Sequence, residues 1–292
     1  MMLEKDKIHV GDSRQVLSDH ILFPGGTVDL VITSPPYADR RMHSYGGVKP
    51  AAFTDWFIPI SGELYRVLKP RGSLVLNMKE NVKNGERQTY VIELILAMRK
   101  QGWIWTEEYC WYKKNSYPGK WPNRFRDSWE RCLHFTKRRD FRMYQDAVKV
   151  PIGDWATKRF RSMSEKDFIR SMSATSSKFG RRVANWANKR KVFPHNVVVF
   201  ESEHYYEPST MIHFATECKN RNHSACFPIE LPTWFIKLFT KKGDTVLDPF
   251  IGVGTTAVAA NALDRRFIGI EISPAYAKEA YRNIRAMKKR TK

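Results

Sequence analysis

Ser34, Pro35, Pro36 and Tyr37 are the residues of this chain whose types and spacing could do chemistry within the shortest stretch. Ser34 offers a hydroxyl, Pro35 a carbonyl oxygen with no amide of its own, and Tyr37 a flat ring. Two consecutive prolines fix φ, lack N–H groups and push each preceding residue out of the helical region. The chain is therefore a stiff, extended turn whose carbonyls stay free to accept. Such a turn could hold a planar amine, with one acceptor for each proton and a ring against its face. Val28 and Leu30 to Ile32, just before it, form the apolar, β-branched run of a buried parallel strand. The turn then sits at a strand's carboxyl end, where open α/β sheets place their ligands. Taken alone, the same residues are equally an ordinary strand followed by a Pro-Pro turn.

A second stretch, Thr245 to Thr256, reads as a strand, a glycine-rich turn and the start of a helix. Gly252-x-Gly254-x-x-Ala257 formally fits a dinucleotide fingerprint, and Glu271 closes the next strand, Phe267 to Ile270, 17 residues after Gly254. A nicotinamide-dependent oxidoreductase is thus a rival reading. Asp248 and Pro249 argue against it, because a carboxylate facing the turn would repel a pyrophosphate but suits an ammonium group. No Gly-x-x-x-x-Gly-Lys-Ser/Thr is present, so nothing indicates nucleotide hydrolysis. Asp12 ends the strand candidate Lys7 to Val10, ahead of a helix-like segment from Ser13 to Leu17; by itself it reads as a helix cap.

Thr33-Ser34-Pro35-Pro36-Tyr37 resembles the catalytic motif of the DNA amino-methyltransferases, and serine before the prolines resembles their cytosine-N4 branch. Asp248-Pro249-Phe250-x-Gly252-x-Gly254-Thr255-Thr256 resembles that family's cofactor motif, with Val253 where serine is usual. His223, Ala225, Phe227 and Pro228 match a further family element, in which the Phe lies against the cofactor. The resemblance implies S-adenosyl-L-methionine as cofactor, held by Asp12, Thr33, Phe227, Asp248 to Phe250, Gly252, Gly254, Thr255, Thr256 and Glu271. Within that set it gives Asp12 to the cofactor's adenine, Asp248 to its ammonium and Glu271 to its ribose. Ser34 and the Pro35 carbonyl would accept from the target amine, and Tyr37 would stack on a base swung out of the duplex. The expected reaction is methyl transfer to cytosine N4, with adenine N6 the alternative on the same scaffold. A non-catalytic nucleic-acid-binding protein remains a further alternative. The cofactor motif follows the catalytic motif, with a basic segment between them, which is similar to the permuted order of the β class.

Composition favours the same partner. At 292 residues with a net charge of +20, the chain can bury a sizeable core and calls for a polyanion. Lys113 to Lys191 alone holds 22 lysines and arginines against 7 acids, which accounts for +15 of that charge. Interleaved aromatics such as Trp155, Phe160 and Trp186 argue for duplex DNA rather than a plain solvated face. The candidate phosphate contacts are Arg138, Arg139, Arg159, Arg161, Arg181, Arg182, Lys189 and Arg190. No apolar span of membrane length appears, and four scattered cysteines with no secretory signal suggest a reducing cytosol. Cys218, His223 and Cys226 lack a fourth ligand at finger spacing, so no metal is expected. The resemblance also implies a companion restriction endonuclease acting on the same site; monomer or homodimer is left open.

Alternating strand and helix signals predict an α/β fold, a doubly wound and mostly parallel sheet with an antiparallel hairpin at one edge. Helices are expected over Phe53 to Leu68, Tyr90 to Met98 and Ile229 to Phe239, and strands over Ser73 to Asn77, Trp103 to Tyr112 and Trp129 to Phe135. The expected division is a catalytic half at 1–136, an inserted target-recognition region at 137–200 and a cofactor-binding half at 201–292. The strands at 28–33 and 244–248 should be neighbours in the centre, bringing Ser34 and Asp248 to one crevice.

Overall fold

In a computed structural model of the protein, the described residues are 4–38, 47–113, 123–125, 127–152, 191–198 and 227–290. The strand β2 (Val28–Thr33) is buried at every position, which an isolated strand could never be. It therefore pairs on both sides. One partner is β11 (Thr245–Asp248), through Val246 with Leu30 and Leu247 with Val31; the other is β3 (Leu68–Met78), from Leu30 with Ser73 to Thr33 with Leu76. Beyond β11 come β12 (Arg266–Glu271) and then β1 (Lys7–Val10), so the two sequence-distant halves join in the middle of one sheet.

On the other side of β3 lie β7 (Trp129–Thr136), β6 (Ile104–Tyr112) and the two-residue β10 (Val197–Val198). Among the described strands of this sheet, β7 alone runs antiparallel to the rest. The hairpin expected at the edge is thus present with its reversed strand one place further in, and β10 takes the edge by pairing with Cys110 and Trp111. Small ladders join β4 (Val82–Lys83) to β5 (Glu86–Arg87) and β8 (Val150–Pro151) to β9 (Lys191–Val192).

Side chains alternate across a strand, so the sheet feeds two cores. Leu74, Leu76 and Met78 of β3 pack with α1 (Ser13–Leu17), α2 (Pro50–Val67) and α3 (Tyr90–Lys100), burying Leu17, Phe53, Phe57, Leu64, Tyr90 and Leu94. Val75 points the other way, joining Leu30, Ile32, α4 (Glu230–Phe239), α5 (Thr255–Ala262) and α6 (Pro274–Arg290). Helix α2 starts three residues earlier than predicted because Pro50, with no N–H to satisfy, opens its first turn.

At the amino end of the sheet Asp29, 3% exposed, accepts from Lys69 Nζ at 2.7 and 2.8 Å, from Arg142 at 3.4 Å and from the Thr245 amide at 3.0 Å. Among the described residues no helix is long and apolar enough to cross a membrane, and no cluster of three or more His, Cys, Asp or Glu could hold a metal.

Candidate active site

Four neighbouring parallel strands, β1, β12, β11 and β2, end side by side. Their carboxyl tips carry Asp12, Glu271, Asp248 and Ser34 in that order. With strands about 4.8 Å apart, the row spans about 15 Å. One extended molecule could touch all four positions.

Asp248 is 2% exposed, and both its oxygens are occupied by neutral donors. Oδ1 accepts from Thr33 Oγ1 at 2.6 Å and the Phe250 amide at 3.0 Å, and Oδ2 from Thr256 Oγ1 at 2.6 Å. Burial raises its pKa to about 6, with these three hydrogen bonds holding it lower than burial alone would. Thr33 and Thr256 are thereby placed as its holders. Glu271, also buried, accepts from the amides of Gly252 at 2.9 Å and Ser273 at 2.8 Å. Its pKa too is raised, first by burial and further by the Asp248 charge. Asp12 is the N-cap of α1, taking the Arg14 amide at 2.8 Å and the Arg14 guanidinium at 2.9 Å, and that partner holds its carboxyl below the usual range. The α1 start is tied to the Asp248 turn, because Ser13 Oγ donates to the Pro249 carbonyl.

The glycine turn is shaped by the helix behind it. Gly254 has φ of +89°, and a Cβ there would stand 2.7 Å from Ala280 Cβ on α6. Only glycine gives both the left-handed turn and the close approach. Val253, in the place where serine is usual, is buried, and its carbonyl accepts from Asn283 of the same helix at 2.9 Å. Phe250 packs on Trp56 and Phe57 of α2, with ring centroids 5.7 and 6.4 Å away. Phe227 is half-buried against the core beside α4.

At the β2 tip Ser34 is half-exposed and Pro35 buried. The Tyr37 ring is half-buried, and its hydroxyl reaches inward, donating to Glu130 Oε2 at 2.8 Å, with Asn77 Oδ1 at 3.3 Å and Ser34 Oγ at 3.4 Å. Burial, then the neighbouring Glu130 charge, pushes the phenol well above its ordinary pKa. Glu130 is itself 5% exposed and bonded by the Lys113 ammonium. Burial works to raise its pKa, but Lys113 and the Tyr37 hydrogen bond outweigh that, so it stays below the usual carboxylate range.

Glu130, Lys113 and Asn77 were absent from the sequence-predicted site. The signal available was a pair of opposite charges, Glu130 and Arg131, opening the strand candidate Trp129 to Phe135. Arg138 and Arg139 are not brought to the site. Since β7 is reversed, Thr136 lies opposite Ser73, toward the start of β3, and the chain leaves β7 at the amino end of the sheet. There Arg138 pairs with Asp140 at 2.8 Å. Arg159, Arg161, Arg181, Arg182, Lys189 and Arg190, with Cys218, His223 and Cys226, lie outside the described residues.

A family model described as DNA methylase, of the N6/N4 methyltransferase type, matches residues 28–282. The chain belongs to this family. The match spans both the β2 tip and the Asp248 turn, and membership removes the nicotinamide oxidoreductase reading. The Type II methyltransferase M.PvuII of Proteus hauseri is 26% identical over 288 residues, covering 94% of this chain and 82% of that protein. Among solved structures, a PvuII DNA methyltransferase (cytosine-N4-specific) superposes with a TM-score of 0.67 at 23% identity, covering 99% of this chain and 93% of that one. A putative DNA modification methylase from Thermus thermophilus, complexed with S-adenosyl-L-methionine, gives a TM-score of 0.59 at 24% identity, with 96% and 93% covered. The methylase fold, doubly wound and mostly parallel, is therefore that of this chain.

Proposed function

We propose that this DNA methylase transfers a methyl group from S-adenosyl-L-methionine to the exocyclic N4 of cytosine in duplex DNA, as the modifying member of a restriction-modification pair in the bacterial cytoplasm. The observation that carries the reading is the adjacency of β2 and β11, through which Thr33, the residue before Ser34, bonds the buried carboxylate of Asp248. The residues fit the donor. Asp248 and Glu271 are buried carboxylates bonded only to neutral groups among the described residues, which suits a cationic, hydroxyl-bearing ligand and not a polyphosphate. When bound, S-adenosyl-L-methionine supplies an electrophilic methyl group on a sulfonium.

The chain's own residues do the rest. The lone pair of the cytosine amine is delocalised into the ring, so it must be freed before it can attack. Ser34 Oγ accepts from one amino proton and the Pro35 carbonyl from the other, which draws density back to the nitrogen. Tyr37 stacks on the extrahelical base, and the fixed turn holds the amine at a near-attack distance of about 3–3.5 Å. Arg159, Arg161, Arg181, Arg182, Lys189 and Arg190 supply phosphate contacts. The relative described as cytosine-N4-specific supports the choice of base.

The deciding experiment incubates unmodified bacterial DNA with purified protein and labelled donor, digests it to nucleosides and identifies the labelled one by mass spectrometry. N4-methylcytosine is expected. N6-methyladenine as sole product would overturn the base assignment alone. Methylation at cytosine C5 would overturn the mechanism too, since that reaction needs a cysteine nucleophile and none stands in the motif.

A further inference from the structure

A serine hydroxyl can donate or accept, whereas the target amine has only protons to offer to it. Ser34 must therefore keep a lone pair facing the base, and its surroundings fix whether it does. Glu130 is an ionised carboxylate and can only accept. It takes the Tyr37 hydroxyl at 2.8 Å on one oxygen and the Lys113 ammonium on the other. The phenol's remaining inward neighbour, Asn77 Oδ1 at 3.3 Å, is also an acceptor, because the Asn77 amide nitrogen is turned to the Arg131 carbonyl. Tyr37 thus spends its one proton inward. Its oxygen is left to accept from Ser34 Oγ, 3.4 Å away. With its proton committed to Tyr37, Ser34 presents only lone pairs outward.

We propose that Glu130, held by Lys113, is a positioning residue that sets the direction of the hydrogen-bond chain from Ser34 through Tyr37 and so commits Ser34 to accept from the target amine; this rests on the amino-methyltransferase reading above. Lys113 is itself held in place. Lys113 lies 4.6 Å from the centroid of the Trp111 ring, and Glu130 and Trp111 face each other across the β6–β7 ladder. The same bond fixes the angle of the Tyr37 ring.

Glu130→Gln is the sharpest test, because a carboxamide can donate to the phenol and reverse the chain, turning the Ser34 proton toward the amine. It should lower kcat about tenfold to a hundredfold while leaving donor and duplex Kd unchanged. Tyr37→Phe keeps the ring but frees the Ser34 hydroxyl to rotate, so kcat should fall less. Combining the two should restore kcat to the Tyr37→Phe level, a rescue that a purely structural role for Glu130 does not produce. A double variant worse than either single one, or a Glu130→Gln variant with wild-type kcat, would overturn the proposal. If Glu130→Gln does not fold, Ser34→Ala and Tyr37→Phe carry the test: their effects should fail to multiply, and independent effects would overturn it. Wild-type protein that binds the donor but transfers no methyl group would remove the proposed function and this inference together. An active wild type with independent effects would remove the inference alone.

Discussion

Asp29 and Asp248 are both buried aspartates on neighbouring strands, at opposite ends of the sheet, and they are satisfied in opposite ways. Asp29 is met by Lys69 and Arg142, cations supplied by the chain itself. Asp248 is met by two threonine hydroxyls and an amide, which hold the group without neutralising it, and Glu271 beside it by two amides. The first arrangement is complete as folded. The second keeps two carboxylates close enough that the Asp248 charge raises the pKa of Glu271, an arrangement that gains from a cation placed between them. What the difference teaches is that burial alone does not mark a functional carboxylate; the kind of partner does.

The largest expected effect breaks the comparison at Asp248. Its pKa is raised to about 6 from 3.8, so its favourable contribution to folding is fully present below the lower value and is lost as pH rises through the upper one. Relative to Asp248→Asn, the wild type should lose up to about 3 kcal/mol between about pH 4 and about pH 7, read from denaturant curves. Over the same window donor affinity should rise with pH in the wild type, and at neutral pH Asp248→Asn should bind the donor about tenfold or more weakly by calorimetry. A flat pH profile of both stability and donor affinity would remove Asp248 from the site. Next, Asp29→Ala should cost about 2 kcal/mol of stability, discounted because Lys69 and Arg142 are half-exposed, with donor affinity unchanged. The smallest effect sharpens the geography. Replacing Arg138 and Arg139 together by alanine should change duplex affinity by less than about twofold in filter-binding titrations, since they lie at the Asp29 end.

The fold was legible wherever one residue type answered one demand. The β-branched run of β2 reads as a buried strand, the two prolines as its stop, and Gly252 with Gly254 as a turn before a helix. Ser34 and Asp248 could be expected at one end of the sheet because both stand at the carboxyl tips of neighbouring strands. Glu130 could not, because its importance comes from a phenol 93 positions away and from Lys113 across a hairpin. That Arg138 and Arg139 lie away from the crevice could not be read for a different reason. Their charge was read without the direction of β7, although a reversed strand delivers the next residues to the other end of the sheet. Of the two threonines that hold Asp248, Thr256 belongs to its own motif and Thr33 to the catalytic one; only burial distinguishes their bonds from ordinary surface contacts.

The pairing of β2 with β11 also governs how the molecule comes into being. Thr33 and Asp248, joined by a hydrogen bond, are 215 residues apart, so the central seam of the sheet is a contact of very long loop closure. Such contacts form late, and topologies dominated by them fold slowly. During synthesis the catalytic turn is finished long before the strand that supplies its neighbouring carboxylate, and β2 must wait with one hydrogen-bonding edge unpaired. The chain is thus exposed to intermolecular strand pairing for most of its translation, and a methylating crevice exists only once the last strands have been added.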